Sequence, residues 1–441
     1  MNRPLTNKYQ DFICDSTEPR GNRFYRKYIK VWIDYHHIVE KRKGFFLHMG
    51  NGDIDREEFP VPQCLINVIE KSLRRQYFDY NHSLGDSLVR ILIAEYENFI
   101  AGKRLYSKNN VGIVLSSTGG FSSIIEILMR HYKFQGHCLI ALPTFPVYEA
   151  VVWKRFGIKK VAGKKQNAFL PTVKDIESAI SEETRFIILT SPSFPFGKIY
   201  SGEDLSDIIK LSNRTRTYII LDEIFYDLPF GPIPNIGAVD LRQDYIIRIK
   251  AFSKDRSVPG LRIGYVLANE AVINELNRFA DHYYGCPPTV FEAFIAKDII
   301  LRMLLKGGPD VNPKLIKDNE KLFDLIGNYH MDLPEYRKNI VWTLAKFKEN
   351  RDRVIAEIKN IPRMEAIGPD AGINMGIRIE HRGSTFNFFK ELFFNTGVII
   401  APGEVFDMPA DTGSWYRLTF ANNLSKMLKG LLKIKDYLRD D

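Results

Sequence analysis

The sequence predicts an α/β layered fold, and three observations carry that expectation. Short, nearly continuous apolar runs rich in β-branched residues recur between residues 111 and 267, as expected of strands covered on both faces. Stretches with helical apolar spacing lie between several of them. The composition, 45% hydrophobic and 26% charged over 441 residues, is that of a globular chain with enough mass for two or three core-sized units. Disorder and fibrous repeats are excluded on the same grounds.

Taken in order, residues 1–45 are polar, aromatic-rich and charged, and read as a partly helical arm without chemistry. Strands are expected at 111–115, 138–141, 186–190, 218–221, 245–249 and 262–267, with helices at 121–132, 149–156 and 201–211. Residues 301–340 carry Gly307-Gly308-Pro309 and show no strong period. The stretch from 292 to 351 reads as a surface excursion, a lid or a dimer contact. A helix over 342–361 is stopped by Pro362. Strands at 373–379 and 397–401 flank a helix at 385–394. In the last stretch, 424–438, Leu424, Met427, Leu428, Leu431, Ile434 and Leu438 form one apolar face that packs onto its own domain.

Cys14, Cys64, Cys138 and Cys286 are scattered, with no CxxC, so neither a disulfide frame nor a zinc knuckle is indicated. His36, His37, His131 and His137 lie outside every motif, and no metal is expected. The start has no apolar leader and no run approaches ~18 apolar residues, so the expected location is cytoplasmic. The net charge of +9 is spread along the chain rather than concentrated. That favours small anions in a cleft over nucleic acid or a membrane.

Chemistry concentrates in Ala251-Phe252-Ser253-Lys254, followed by Pro259-Gly260-Leu261-Arg262. A lone lysine is ordinarily a solvated charge. Here an amine nucleophile stands beside a serine, a tight turn and a downstream arginine, which together suit a carbonyl cofactor bearing a phosphate, such as pyridoxal phosphate. Asp222 closes an apolar run, and a buried acid there needs a partner. A protonated pyridine nitrogen would supply one; viewed alone, Asp222 reads equally well as a cap. Residues 116–128 run from strand to small polar loop to helix, an anion site or an ordinary serine-capped turn.

Together these segments resemble the class I/II aminotransferases, the fold-type I pyridoxal-phosphate enzymes, over roughly residues 45–437. The Ser253-Lys254…Gly260-Leu261-Arg262-Ile263-Gly264-Tyr265 motif is the most specific part. The resemblance implies a large domain with a mostly parallel seven-stranded sheet and a smaller α/β domain built from both chain ends. The corresponding divisions are 1–85 for the arm and part of the small domain, 86–325 for the large domain and 326–441 for the small one. It implies pyridoxal 5′-phosphate as cofactor, an amino acid and a 2-oxo acid as substrates, and a homodimer.

Residue by residue, Lys254 resembles the Schiff-base lysine and Asp222 the partner of the pyridine nitrogen. Gly119, Gly120 and Phe121 resemble the phosphate cup, with Ser253 and Arg262 as further phosphate ligands. Phe145 resembles the aromatic that stacks on the ring, and Tyr80 the tyrosine that reaches the neighbouring subunit's phosphate. Arg417 resembles the arginine that grips the substrate carboxylate, with Gly52 beside it.

The departures are equally specific. Phe194 stands where the family has the asparagine that donates to the cofactor's 3-oxygen. Phe225 stands where it has a tyrosine with the same role, and Tyr226 comes one residue late. Ala251 replaces the first serine of Ser-x-Ser-Lys. Loss of both oxygen donors leaves a lyase, cyclase or oxidase on the same scaffold as the alternative to an aminotransferase.

Overall fold

The computed structural model describes residues 18–153, 155–232, 234, 240, 245–408 and 413–440. The β-branched runs pair into one seven-stranded sheet. Its order is Val111–Val114, Gly264–Leu267, Ile246–Ala251, Tyr218–Asp222, Thr184–Thr190, His137–Leu142 and Gly157–Ala162. Gly264–Leu267 runs antiparallel to both neighbours, and the other pairings are parallel. Every residue of Val111–Val114 and of Ile246–Ala251 is buried, which is why these strands show no polar alternation. The strand Gly157–Ala162 is absent from the expected set. It forms the sheet edge, where exposed Lys159 and Lys160 interrupt the apolar pattern and blunt the edge against pairing.

A second, antiparallel sheet joins Met364–Ile367, Asn374–Ile379, Trp415–Thr419 and Ala401–Pro402. Leu47–His48 pairs in parallel with Val398–Ile399. One apolar cluster therefore holds Tyr28 and Leu47 from one end of the chain with Leu418 and Leu431 from the other. The arm is largely the helix Arg20–Lys43; residues 1–17 lie outside the described residues. The terminal helix Leu424–Asp440 buries Met427, Leu431, Ile434 and Leu438 of the face its spacing marks, while Leu424 and Leu428 are partly buried against the same cluster.

Two expectations are corrected. The 301–340 stretch is mainly helical, with Pro313–Asp318, Glu320–Ile326 and the start of Tyr329–Ile358. The first two helices are short and separated by Asn319, and Gly307, Gly308 and Gly327 break the chain around them, so no period survives in sequence. Leu322, Phe323, Leu325 and Ile326 nonetheless pack into the main core. Second, the helix expected from Phe121 begins at Ser116, so the small polar loop is the first turns of a helix. No helix among the described residues is long and apolar enough to cross a membrane.

Candidate active site

The C-terminal ends of the strands Tyr218–Asp222 and Ile246–Ala251 open onto a cavity of about 300 Å³. Asp222 pairs in register with Ile249, on the strand that leads into Lys254. Lys254 donates to the Gly52 carbonyl at 2.7 Å and lies 3.6 Å from Asp53. Burial lowers its pKa, the Asp53 carboxylate opposes that shift, and the Arg417 guanidinium adds to it. The shift is toward the neutral amine, the form a nucleophile needs.

Asp222 is buried. Its carboxyl accepts from the Tyr148 hydroxyl and, at 2.9 Å, from the Ile224 N–H. Burial pushes its pKa up to about 6, with those two donors pulling it back. Among the described residues no cation pairs with it.

At one pole, Ser117 and Thr118 in the first turn of the helix Ser116–His131 line the cavity with Ser253 and Arg262. Arg262 donates to Ser116 Oγ at 2.5 Å and to the Pro259 carbonyl at 2.8 Å. Free N–H groups of a helix start, hydroxyls and a guanidinium make an anion cradle. Of the expected cup, Gly119 sits in that same first turn, but Gly120 and Phe121 face the core. A Cβ on Gly120 would meet Val114 at 2.8 Å. Phe121 packs on Tyr148 at 4.7 Å between ring centroids, so it supports the residue that holds Asp222.

At the other pole Arg417 is buried on Trp415–Thr419. It donates to the Gly50 carbonyl, its guanidinium lies over Phe194 and Phe406 at 5.1 and 4.8 Å, and its Nε has no partner. Burial without an acid brings its pKa down to about 10. Gly52 has φ +65°, and a Cβ there would meet Arg417 Nη1 at 3.0 Å. Only glycine suits both the backbone and the space.

Phe145 lines the cavity, with its ring 5.4 Å from Phe194. Phe194 and Phe225 also line it, their rings parallel at 6.4 Å. Tyr226 does not: its ring lies 4.8 Å from Lys250 Nζ, away from the cavity. Ala251 packs on the strand start at Gly264. Tyr80 is 93% exposed and does not line this chain's own cavity. Sequence reasoning missed Tyr25, Asn51, Tyr148 and Thr190, all on the lining. Tyr148 had a signal, since it lies three residues after Phe145 in the same short segment, in the first turn of the helix Pro146–Val152; Tyr25, in the arm, had none.

The family model described as aminotransferase class I and II matches residues 46–300. The chain belongs to that family. An aspartate aminotransferase of Sulfolobus acidocaldarius is 24% identical over 423 residues, covering 92% of this chain and 94% of that protein. A solved aminotransferase from Mycobacterium tuberculosis superposes with a TM-score of 0.76 at 20% identity, over 95% of this chain and 97% of that one. An aromatic aminotransferase from Pyrococcus horikoshii gives 0.73 at 20% identity, over 92% and 99%. At these identities the structural likeness establishes the fold. As a class I and II aminotransferase the protein is a pyridoxal-phosphate-dependent transferase, and its cavity suits that cofactor. An anion cradle at one pole, a buried carboxylate lacking a cation and a half-buried amine match a phosphate, a pyridinium and an aldehyde carbon.

Proposed function

We propose that the protein moves an amino group between an L-amino acid and a 2-oxo acid through a covalent bond between Lys254 and pyridoxal 5′-phosphate. Bound there, the cofactor would supply an electron sink for the bonds at the substrate's α-carbon. The observation that carries this reading is that Asp222 and Arg417 are buried in one cavity without counterions among the described residues.

In this reading Ser117, Thr118, Ser253 and Arg262 hold the phosphate, with the Gly119 N–H in the same helical turn. Asp222, kept in place by Tyr148, holds the proton on the ring nitrogen. Phe145 covers the ring. Arg417 takes the substrate carboxylate through parallel N–H donors, and the freed Lys254 amine takes the α-proton and returns it. Phe194 and Phe225 line the cavity in place of the two donors that the resemblance implies, so neither would donate to the cofactor's 3-oxygen. The exposed Tyr80 supports a homodimer in which it reaches the neighbouring subunit. Free thiols at Cys64, Cys138 and Cys286 suit a reducing compartment such as the cytoplasm.

The test is to mix purified holoenzyme with single amino acids without an acceptor. Stoichiometric pyridoxamine phosphate is expected. Ammonia release or oxygen consumption in its place would assign a lyase or an oxidase instead. Lys254→Ala is expected to abolish the lysine-linked absorbance band and to cut turnover by at least about 10⁴-fold; survival of the band would remove Lys254 from its role.

A further inference from the structure

We infer that Lys160 and Asp407 form a clasp between the two sheets that sets the aim of Arg417, and that both are positioning residues for the proposed reaction. The inference rests on the proposed function, in which Arg417 takes the substrate carboxylate. Lys160 stands on the edge strand Gly157–Ala162 of the seven-stranded sheet, yet its amine turns inward. It reaches Glu149 Oε1 at 2.8 Å and donates to the Asp407 carboxylate. Glu149, on the helix Pro146–Val152, is buried, and so is Asp407. Burial alone would lower the Lys160 pKa, but Asp407 and Glu149 raise it above its ordinary value, so the amine stays a cation. One charge thus holds two acids, one from each side of the junction.

Asp407 is the unusual partner. It follows the turn Gly403–Phe406 on the side of the antiparallel sheet and takes φ +53°. A side chain in that left-handed region is strained relative to glycine. An aspartate kept there points to a task for its carboxylate. Arg20 lies 3.8 Å from the same carboxylate. A Cβ on Gly21 would meet Asp407 Cβ at 3.3 Å, so the start of the arm helix closes over the clasp.

What the clasp holds is Phe406, the residue before Asp407. The Phe406 carbonyl accepts from the Thr144 N–H at 3.0 Å, beside Phe145. Its ring lies 4.8 Å from the Arg417 guanidinium carbon and meets Phe194 edge-on at 5.3 Å. Arg417 has no acid among the described residues to fix it, so the Gly50 carbonyl and these two rings set where its donors point. Two parallel hydrogen bonds to a carboxylate tolerate little error in that aim. Neither Lys160 nor Asp407 lines the cavity, so each acts through Phe406 and not on the substrate.

Three variants test this. Asp407→Gly suits the backbone and leaves Lys160 paired with Glu149, so it strands no buried acid. Lys160→Met opens the clasp from the other side, and Lys160→Arg conserves it. In the cofactor-free protein, hydrogen exchange at the Thr144 amide should speed up about tenfold in Asp407→Gly and Lys160→Met. In the holoenzyme, the change in cofactor absorbance is titrated with 2-methylalanine and with tert-butylamine, in which a methyl group replaces the carboxylate. The dissociation constant of 2-methylalanine should rise about tenfold in both variants. That of tert-butylamine should change less than about twofold, with cofactor content unchanged. Lys160→Arg should keep all three readouts at parental values. Unchanged Thr144 exchange, or unchanged affinity for 2-methylalanine, overturns the inference. Equal weakening of both probes overturns it too, because the damage would then be general and not to carboxylate binding. Either result leaves the proposed function standing. If no amino acid yields pyridoxamine phosphate in the parent, the proposed function fails and the role of the clasp with it.

Discussion

Two sets of buried charges sit back to back at the ends of the strands Tyr218–Asp222 and Ile246–Ala251. On the cavity side, Asp222 and Arg417 have no protein counterion among the described residues. On the other side every buried charge is paired. Glu223 accepts from Arg248 at 2.6 and 3.1 Å, Arg248 and Lys250 each reach Glu97 at 3.0 Å, and Arg302 reaches Asp227, Asp255 and Asp298 at 2.6–2.8 Å. The two sets are consecutive in sequence: Asp222 precedes Glu223, and Lys254 precedes Asp255. One pair of strand ends thus feeds a scaffold on one face and a site on the other. The difference teaches how to read a buried charge. Where the chain supplies the counterion, the charge holds structure; where it withholds one, the charge waits for a ligand.

The largest expected effect lies on the paired side. Arg248→Met leaves Glu97 and Glu223 buried with too few donors, and should cost about 3–5 kcal/mol of stability, read as a lower denaturant midpoint. The folded enzyme should keep its amino acid preference. A loss below about 1 kcal/mol would break the comparison, because the network would then carry no structural weight.

The same substitution on the cavity side should behave oppositely. Arg417→Met removes a buried cation that has no acid to leave stranded. The cofactor-free protein should be as stable as the parent or more so, while kcat/KM falls about 10–10²-fold, the worth of a charge-assisted pair of hydrogen bonds. Destabilisation on the scale of Arg248→Met would place Arg417 with the scaffold.

How much of this was legible in sequence follows from range. The sheet was, because each strand's apolar run is local; its edge strand was not, because lysines mask a strand that has solvent on one side. Lys254, Asp222, Arg262 and Arg417 were legible because each sits in a short segment whose neighbours mark it. The paired network was not: Glu97 meets Lys250 across 153 residues, and nothing near either position announces the other. Tyr25 was hidden for the same reason, its place on the lining arising only when the arm folds back on the cavity. Gly120 and Phe121 show the limit of carrying a motif across residue by residue. The helix starts at Ser116, so Ser117 and Thr118, upstream of the residues singled out, line the anion site, and of those residues only Gly119 shares their turn.

The smallest effect is the most discriminating, because it titrates the unpaired side alone. Burial raises the Asp222 carboxyl to about 6. An acid raised in the folded state stabilises the cofactor-free fold at low pH, and that contribution is lost as pH climbs from about 4 through about 6. Cofactor binding has the opposite dependence, since only the carboxylate can hold a protonated ring nitrogen. With a midpoint near 6, about nine-tenths of Asp222 is ionised at pH 7 and about one-tenth at pH 5, so affinity for pyridoxal phosphate should fall about tenfold over that range beyond the fall seen in Asp222→Asn. The variant sets the baseline because it retains the phosphate's own titration and lacks this one. Tyr148→Phe removes a donor to the carboxylate, so the fall should move to higher pH. Matching pH curves for the parent and Asp222→Asn would mean that Asp222 does not meet the ring nitrogen, and the division between paired and waiting charges would lose its central member.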